Sequence, residues 1–286
     1  MNRRNFLAAS GAVGTGALAG CAGVLGSGGG TDGSGVTTTP GPRQGDPLPT
    51  DESPGDGYAP SYDEFPPEQD ISSENFGSNT VPGGDIYNGD SDVTVTLASI
   101  ETTYYWYARG EARFVDSRSG VAYDNAHVHG AVLSSANYAI EQTPVAEWDT
   151  EDRVVCYCRC PHHLSSIRAA ELMNYGFEEV YVIDEGFGEW LKDYEFPVAG
   201  TGVNANLDPW TIVGQTDAGD AGQTAYTRHP ESGQREATPI ASDGSYSMGL
   251  YFYGVTPDTE ITVETPSYTV TDDLSSLSSG TVTADD

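Results

Sequence analysis

The sequence predicts an α/β domain built on a doubly wound parallel sheet over residues 91–200, followed by a small all-β sandwich domain at the C-terminus over residues 207–274. Two patterns carry the prediction. Between 93 and 193, short β-rich runs alternate with segments of helix formers, the order that lays a parallel sheet between two layers of helix. Between 210 and 270, short alternating runs succeed one another with Gly, Asp and Pro turns between them, among them Asp243–Gly244; that is the pattern of a sandwich.

In chain order, residues 93–97 alternate as a strand. Residues 99–108 carry Tyr104, Tyr105, Trp106 and Tyr107 and read as a helix ending near Gly110. A second strand is expected over 113–116, one helical turn over 121–125, a short strand over 131–133 and a helix over 136–141. Residues 154–157 form the apolar run of a buried strand. A loop follows, then a helix for which Ser165 or Ser166 is the expected N-cap. A strand over 179–183 and a helix over 188–193 complete the α/β unit. The sandwich strands fall near 210–214, 224–227, 235–240, 246–253, 260–263 and 268–270, and residues 275–286 are expected to be a disordered tail.

Charge bounds the setting. The chain has 12 Lys and Arg against 43 Asp and Glu, a net charge of −31, and Lys192 is its one lysine. Such a surface suits high salt, where self-repulsion is screened, and a halophilic setting is expected. Nothing basic is clustered to meet phosphates, so nucleic acid is not an expected partner.

The N-terminus reads as an address. Arg3 and Arg4 precede an apolar Gly- and Ala-rich run that ends at Leu18-Ala19-Gly20-Cys21. This resembles the signal and lipobox of an exported twin-arginine lipoprotein of haloarchaeal type. The resemblance implies lipidation at Cys21, contact with the membrane through that lipid, and a place on the extracytoplasmic face of the cell membrane. A plain signal peptide with Cys21 incidental is the other reading. Residues 1–21 are thus expected to be a signal, and 22–90, rich in Gly, Ser, Thr, Pro and Asp, a disordered linker.

The chemistry concentrates in residues 154–170. Three of the four cysteines and two of the five histidines lie there: Cys156, Cys158, Cys160, His162 and His163. A cysteine at the mouth of a loop that runs into a helix faces unpaired amides and the positive end of the dipole, which favour a thiolate. Upstream stand Asp116-Ser117-Arg118, Tyr123 and His127-Val128-His129-Gly130-Ala131. Downstream stand Arg168-Ala169-Ala170-Glu171-Leu172, Gly176-Phe177, Val180-Tyr181-Val182 and Glu185-Gly186-Phe187 with Trp190. In order and spacing these runs resemble the motifs of the rhodanese-like domain family, over residues 91–200 and nowhere else.

That resemblance implies sulfur transfer: a loop thiolate takes the outer sulfur of a small donor as a persulfide and passes it to a thiol or cyanide acceptor, with no cofactor. Family loops run from the nucleophile to a helix serine six residues on and an arginine two further. Counting back from Ser166 gives Cys160 and puts Arg168 in place; counting along the strand gives Cys158, with a loop two residues longer. Cys160 is the expected nucleophile and Cys158 the alternative. His162, His163, Leu164, Ser165 and Ser166 would line the loop, and Asp116 and Arg118 its mouth, where a structural ion pair is the other reading. Ser165 stands where thiosulfate-using members carry an arginine, which leaves the donor open.

A different class competes. Cys158, Cys160, His162 and His163 have the ligand chemistry of a zinc or copper(I) clip, which would make this a non-catalytic rhodanese-fold protein that binds a metal or a partner. Cys156 reads as a small buried hydrophobe. In the sandwich no titratable cluster suggests catalysis; Tyr251, Phe252 and Tyr253 are its candidate surface for a protein or carbohydrate partner.

Overall fold

The computed structural model describes residues 56–59, 71, 76–136, 138–193, 198–202 and 208–286. The expected signal, Cys21 and most of the expected linker lie outside the described residues.

The first domain is a six-stranded sheet in the order β1-β2-β7-β6-β3-β5. Its elements are β1 (Gly77–Val81), β2 (Val93–Ala98), α1 (Ile100–Ala108), β3 (Arg113–Asp116), α2 (Gly120–Asn125), β4 (His127–Val128), β5 (Val132–Leu133), β6 (Arg153–Tyr157), α3 (His163–Tyr175), β7 (Glu179–Ile183), α4 (Phe187–Asp193) and β8 (Val198–Ala199). Strands β2, β7, β6, β3 and β5 are mutually parallel and β1 is an antiparallel edge. Strands β4 and β8 form a separate antiparallel pair. Helices cover both faces. One core joins Leu164, Ile167, Ala169, Ala170 and Leu172 of α3 to Val115, Val154, Cys156 and Val182. The other joins Tyr105, Trp106 and Tyr107 of α1 and Trp190 of α4 to Phe114, Val155, Tyr157 and Ile183. Neighbouring residues of one strand feed opposite cores because side chains alternate across the sheet.

The expected linker gives up its last part to the fold: β1 pairs with β2 from Gly77 opposite Leu97 to Val81 opposite Val93, and Val81 and Ile86 are buried. The helix expected over 136–141 is a single 3₁₀ turn, Ile140–Gln142, followed by a second at Pro144–Glu147. Around its expected start the backbone carbonyls of Ser134, Ser135 and Tyr138 are taken by the Arg168 guanidinium.

The second domain is the expected sandwich. Its strands are β9 (Trp210–Gln215), β10 (Thr224–His229), β11 (Gln234–Pro239), β12 (Ser245–Leu250), β13 (Glu260–Glu264) and β14 (Thr269–Asp273). A short helix α5 (Leu274–Leu277) and β15 (Thr281–Val282) follow. One sheet runs β11-β10-β13-β14 and the other β12-β9-β15. Ile212, Leu250, Ile261 and Val263 fill the space between them. The tail expected to be disordered is therefore part of the sandwich: Leu274, Leu277 and Val282 bury their side chains, and β15 pairs parallel with β9.

The two domains meet across the loop that follows β6. Thr224 and Tyr226 of β10 donate to the Asp85 carboxylate, at 2.5 and 3.0 Å. The Tyr251 ring lies 4.9 Å from the Arg159 guanidinium. Arg235 reaches the Ala136 carbonyl at 3.5 Å. Among the described residues no helix is long and apolar enough to cross a membrane.

Candidate active site

The site is the turn from β6 into α3. Strand β6 ends at Tyr157, and the Cys158 and Arg159 carbonyls accept the amides of Phe187 and Gly188, at 2.8 and 2.9 Å, which ties the loop to the start of α4. Gly186 makes that contact feasible. Its φ is +78°, and a Cβ there would lie 2.6 Å from the Cys160 carbonyl oxygen. The chain then turns through His162, held at φ 35°, and α3 begins at His163. The expected serine cap is not used: Ser165 and Ser166 already lie inside the helix. The Ser165 hydroxyl sits 3.3 Å from Cys158 Sγ, and Ser166 Oγ accepts from Asn79 Nδ2 at 3.0 Å. The helix starts earlier because the left-handed His162 turns its first amides onto a sulfur.

That sulfur is Cys158. It is fully buried, it receives the backbone amides of His163 and Ser165, and the Cys160 thiol and the Ser165 hydroxyl bond it as well. Burial opposes ionisation most strongly, yet these donors together bring the Cys158 thiol down to about 7. Its own S–H, when present, points to the Cys160 carbonyl at 3.2 Å.

Cys160, the expected nucleophile, sits one step outward in a different environment. Its Sγ lies 3.3 Å from Glu236 Oε2 and 3.7 Å from His163 Nδ1. Donation to Cys158, then burial, then the Glu236 charge push its thiol well above the usual range. Each thiol bears on the other's ionisation, and the balance favours the negative charge on Cys158 over Cys160. Cys156 is buried in the core beneath, with its thiol pushed up by burial.

The remaining expected residues fall around this pair in different roles. Asp116 Oδ1 accepts from the Arg118 amide and Nε at 2.9 Å, and Oδ2 from Nη2 at 2.6 Å. Arg118 also donates to the Ala126 carbonyl and lies 4.5 Å from the Phe187 ring. Both are buried, so this pair is a brace under α4 that lends its field to the site. Arg168 is fully enclosed, with Nε on the Ser134 carbonyl at 2.9 Å and Nη1 on Glu171 at 3.1 Å. It holds α3 to the carbonyls of Ser134, Ser135 and Tyr138, and its charge acts on the Cys156 thiol. His163 is pushed down to about 4 by burial and then by His162, so it is neutral at pH 7. His162 turns Nε2 toward Asp184 at 3.5 Å. Leu164 is core. Among the described residues no three or more His, Cys, Asp or Glu side chains gather so as to hold a metal ion.

Sequence reasoning missed Glu236. It stands on β11, is 3% exposed, and is pushed up to about 8 by burial first and by the Cys158 charge next. A charged residue on a buried position of an otherwise β-forming run was its only signal, and nothing in the run says which surface it would meet. Tyr251, the sandwich residue expected to face a partner, faces Arg159, and Phe252 is core. A cleft of about 110 Å³ between the domains reaches the loop, lined by His162, His163 and Ser166 on one side and Ala237, Thr238 and Pro239 on the other.

A buried cysteine whose sulfur meets the first amides of a helix thus stands at the end of a central parallel strand. Residues 102–193 match the family described as the rhodanese-like domain, and the chain carries such a domain over that span. Among solved structures, the chain is similar to the BH2092 protein of Bacillus halodurans, with 22% identity, 38% of this chain and 82% of that one covered, and a TM-score of 0.34. It is also similar to the rhodanese-like domain of the Alr3790 protein of an Anabaena species, with 17% identity, 37% and 80% covered, and a TM-score of 0.33.

Proposed function

We propose that the protein is a sulfurtransferase that carries a sulfane sulfur as a persulfide on Cys158. The observation that supports this is the convergence of donors on Cys158 Sγ, the Cys160 and Ser165 side chains first and then the Ser165 and His163 amides, which offset burial and bring its thiol to about 7. Cys160, the residue favoured by counting along the loop, has no such amides among its interactions and keeps its proton. The Cys158 thiolate attacks the outer sulfur of a donor, the donor's sulfur–sulfur bond breaks, and the donor leaves with the electron pair. The loop amides then hold the charge of the new persulfide. A thiol or cyanide acceptor removes the sulfur and returns the thiolate. No cofactor takes part. The strong negative charge of the chain disfavours a small dianion at low salt, so neutral or singly charged polysulfides suit the site better than thiosulfate.

We place the protein on the extracytoplasmic face of a halophile's membrane, anchored through lipid on Cys21; the twin arginine, the Leu18–Cys21 run and the net charge of −31 support that placement. The test of the activity is the intact mass of the full chain in high salt after exposure to polysulfide or thiosulfate. A reducible gain of one sulfur that survives Cys160→Ser and is lost in Cys158→Ser supports the reading. Uptake that requires Cys160 and not Cys158 returns the nucleophile to Cys160, and no uptake by any form refutes the activity.

A further inference from the structure

We propose that Cys160 is a resolving thiol and that Glu236, supplied by the second domain, takes its proton, so that the persulfide on Cys158 is discharged inside the protein as hydrosulfide while a Cys158–Cys160 disulfide closes. The inference rests on the persulfide reading above and adds to it a fate for the sulfur.

Three observations meet here. Cys158 and Cys160 stand two residues apart in one loop, Cys158 Sγ lies 3.2 Å from the Cys160 carbonyl oxygen, and each thiol bears on the other's ionisation. Cys160 Sγ donates to Glu236 Oε2 at 3.3 Å, across 76 positions of sequence and from a separate domain. Glu236 is buried, and a buried carboxylate is unfavourable unless something compensates it. The groups that face it are Cys158 and Cys160 of the loop, Arg159 beside them and Arg118 beyond β3. A sandwich that served only as a spacer would gain stability from an apolar residue at this position. A carboxylate there serves the thiol.

The chemistry balances. Glu236, as carboxylate, takes the Cys160 proton. The Cys160 thiolate attacks Cys158 Sγ, and a Cys158–Cys160 sulfur–sulfur bond forms. The bond from Cys158 Sγ to the outer sulfur breaks, and that sulfur leaves with the electron pair and receives the proton from Glu236 as hydrosulfide. The two cysteine sulfurs are oxidised and the outer sulfur is reduced. An external low-molecular-weight thiol, two per disulfide, returns the pair to the dithiol and is itself oxidised to its disulfide. The net result is reduction of sulfane sulfur to hydrosulfide at the expense of thiols, an activity beyond transfer to an acceptor.

The experiment loads the full chain with polysulfide in high salt, removes the donor, and follows released hydrosulfide and intact mass without added thiol. The wild type is expected to release one equivalent and lose two hydrogens, with the bond mapped to Cys158–Cys160. Cys160→Ser and Cys160→Ala are expected to keep the persulfide. Glu236→Gln is expected to discharge about 100-fold more slowly and to lose the rise in rate that the wild type shows as pH passes about 8. If the wild type holds its persulfide as long as the Cys160 variants do, the resolving role is overturned while the transferase reading stands. If Glu236→Gln discharges at the wild-type rate with the same pH profile, the role of Glu236 is overturned. If no variant or wild type ever carries sulfur on Cys158, the underlying reading falls and this one with it.

Discussion

Glu236→Gln should change the pH dependence of stability as well as the chemistry, and the size of the change follows from its burial. In the folded protein the carboxyl holds its proton up to about 8, against an ordinary value of 4.5. Between those limits the folded chain binds a proton that the unfolded chain has released, so stability falls as pH rises. The contribution is complete below about 4.5 and is gone once pH has passed 8. At 1.36 kcal/mol per pH unit, it amounts to roughly 3 kcal/mol between pH 4.5 and 7. Cys158 works in the opposite sense but in a different window. Its thiol is lowered to about 7 from 9, so it adds stability as pH rises from 7 to 9 and leaves the lower window to Glu236. A glutamine of the same shape never ionises. Urea unfolding of both proteins at pH 4.5 and 7, at one high salt concentration, should show the variant gaining about 3 kcal/mol on the wild type over that interval. Taking the difference cancels the titration of the other acidic residues. Parallel curves for the two proteins would refute the buried, proton-holding carboxyl and the base built on it.

Three other substitutions probe the frame of the site. Asp85→Ala removes the acceptor for both Thr224 and Tyr226; it should loosen the domain interface by about 2–4 kcal/mol and speed iodoacetamide labelling of Cys158 at least about tenfold, read by peptide mass. Arg168→Met removes the ion pair to buried Glu171 and strips three carbonyls of a donor. The expected loss is about 3–5 kcal/mol in denaturant unfolding. Gly186→Ala forces a Cβ to 2.6 Å from the Cys160 carbonyl at φ +78°. It should cost about 1–3 kcal/mol and displace the loop, so that sulfur uptake by mass falls more than stability does.

The sequence carried the α/β alternation, the buried β6 run and the sandwich because each rests on local periodicity. It carried the loop as a place but not the cap of the helix that follows it. Counting from a helix serine presumes that serine caps the helix, whereas Ser165 turns its hydroxyl to Cys158 and the backbone of His162 makes the turn. Strand β1 was hidden for a similar reason: Gly77–Val81 has one buried side chain, Val81, and is a strand only because the β2 edge is there to pair with it. The two-residue β15 has no pattern of its own and depends on β9. Glu236 belongs to contacts between domains, which no periodicity encodes.

The buried position of Cys158 imposes an order on the chemistry. The sulfur has no exposed surface, and the cleft between His162–His163 and Ala237–Pro239 reaches the loop that carries it. Seated, the same faces bring Glu236 to Cys160 and exclude water, which strengthens the thiolate's hydrogen bonds and the proton transfer between neighbours. On the persulfide reading, loading calls for the loop to be uncovered, and discharge for the seated arrangement that brings Glu236 to Cys160. The contacts that hold the faces together include hydrogen bonds and a cation over a ring, each worth about 0.5–3 kcal/mol. Apolar contact belongs to the same seam: Ala237 is buried in the core of the first domain, and Tyr226 packs against that core. In a chain of net charge −31, salt screens the repulsion between the two acidic domains and favours the closed form, so the share of sulfur discharged as hydrosulfide without an external acceptor should rise with ionic strength.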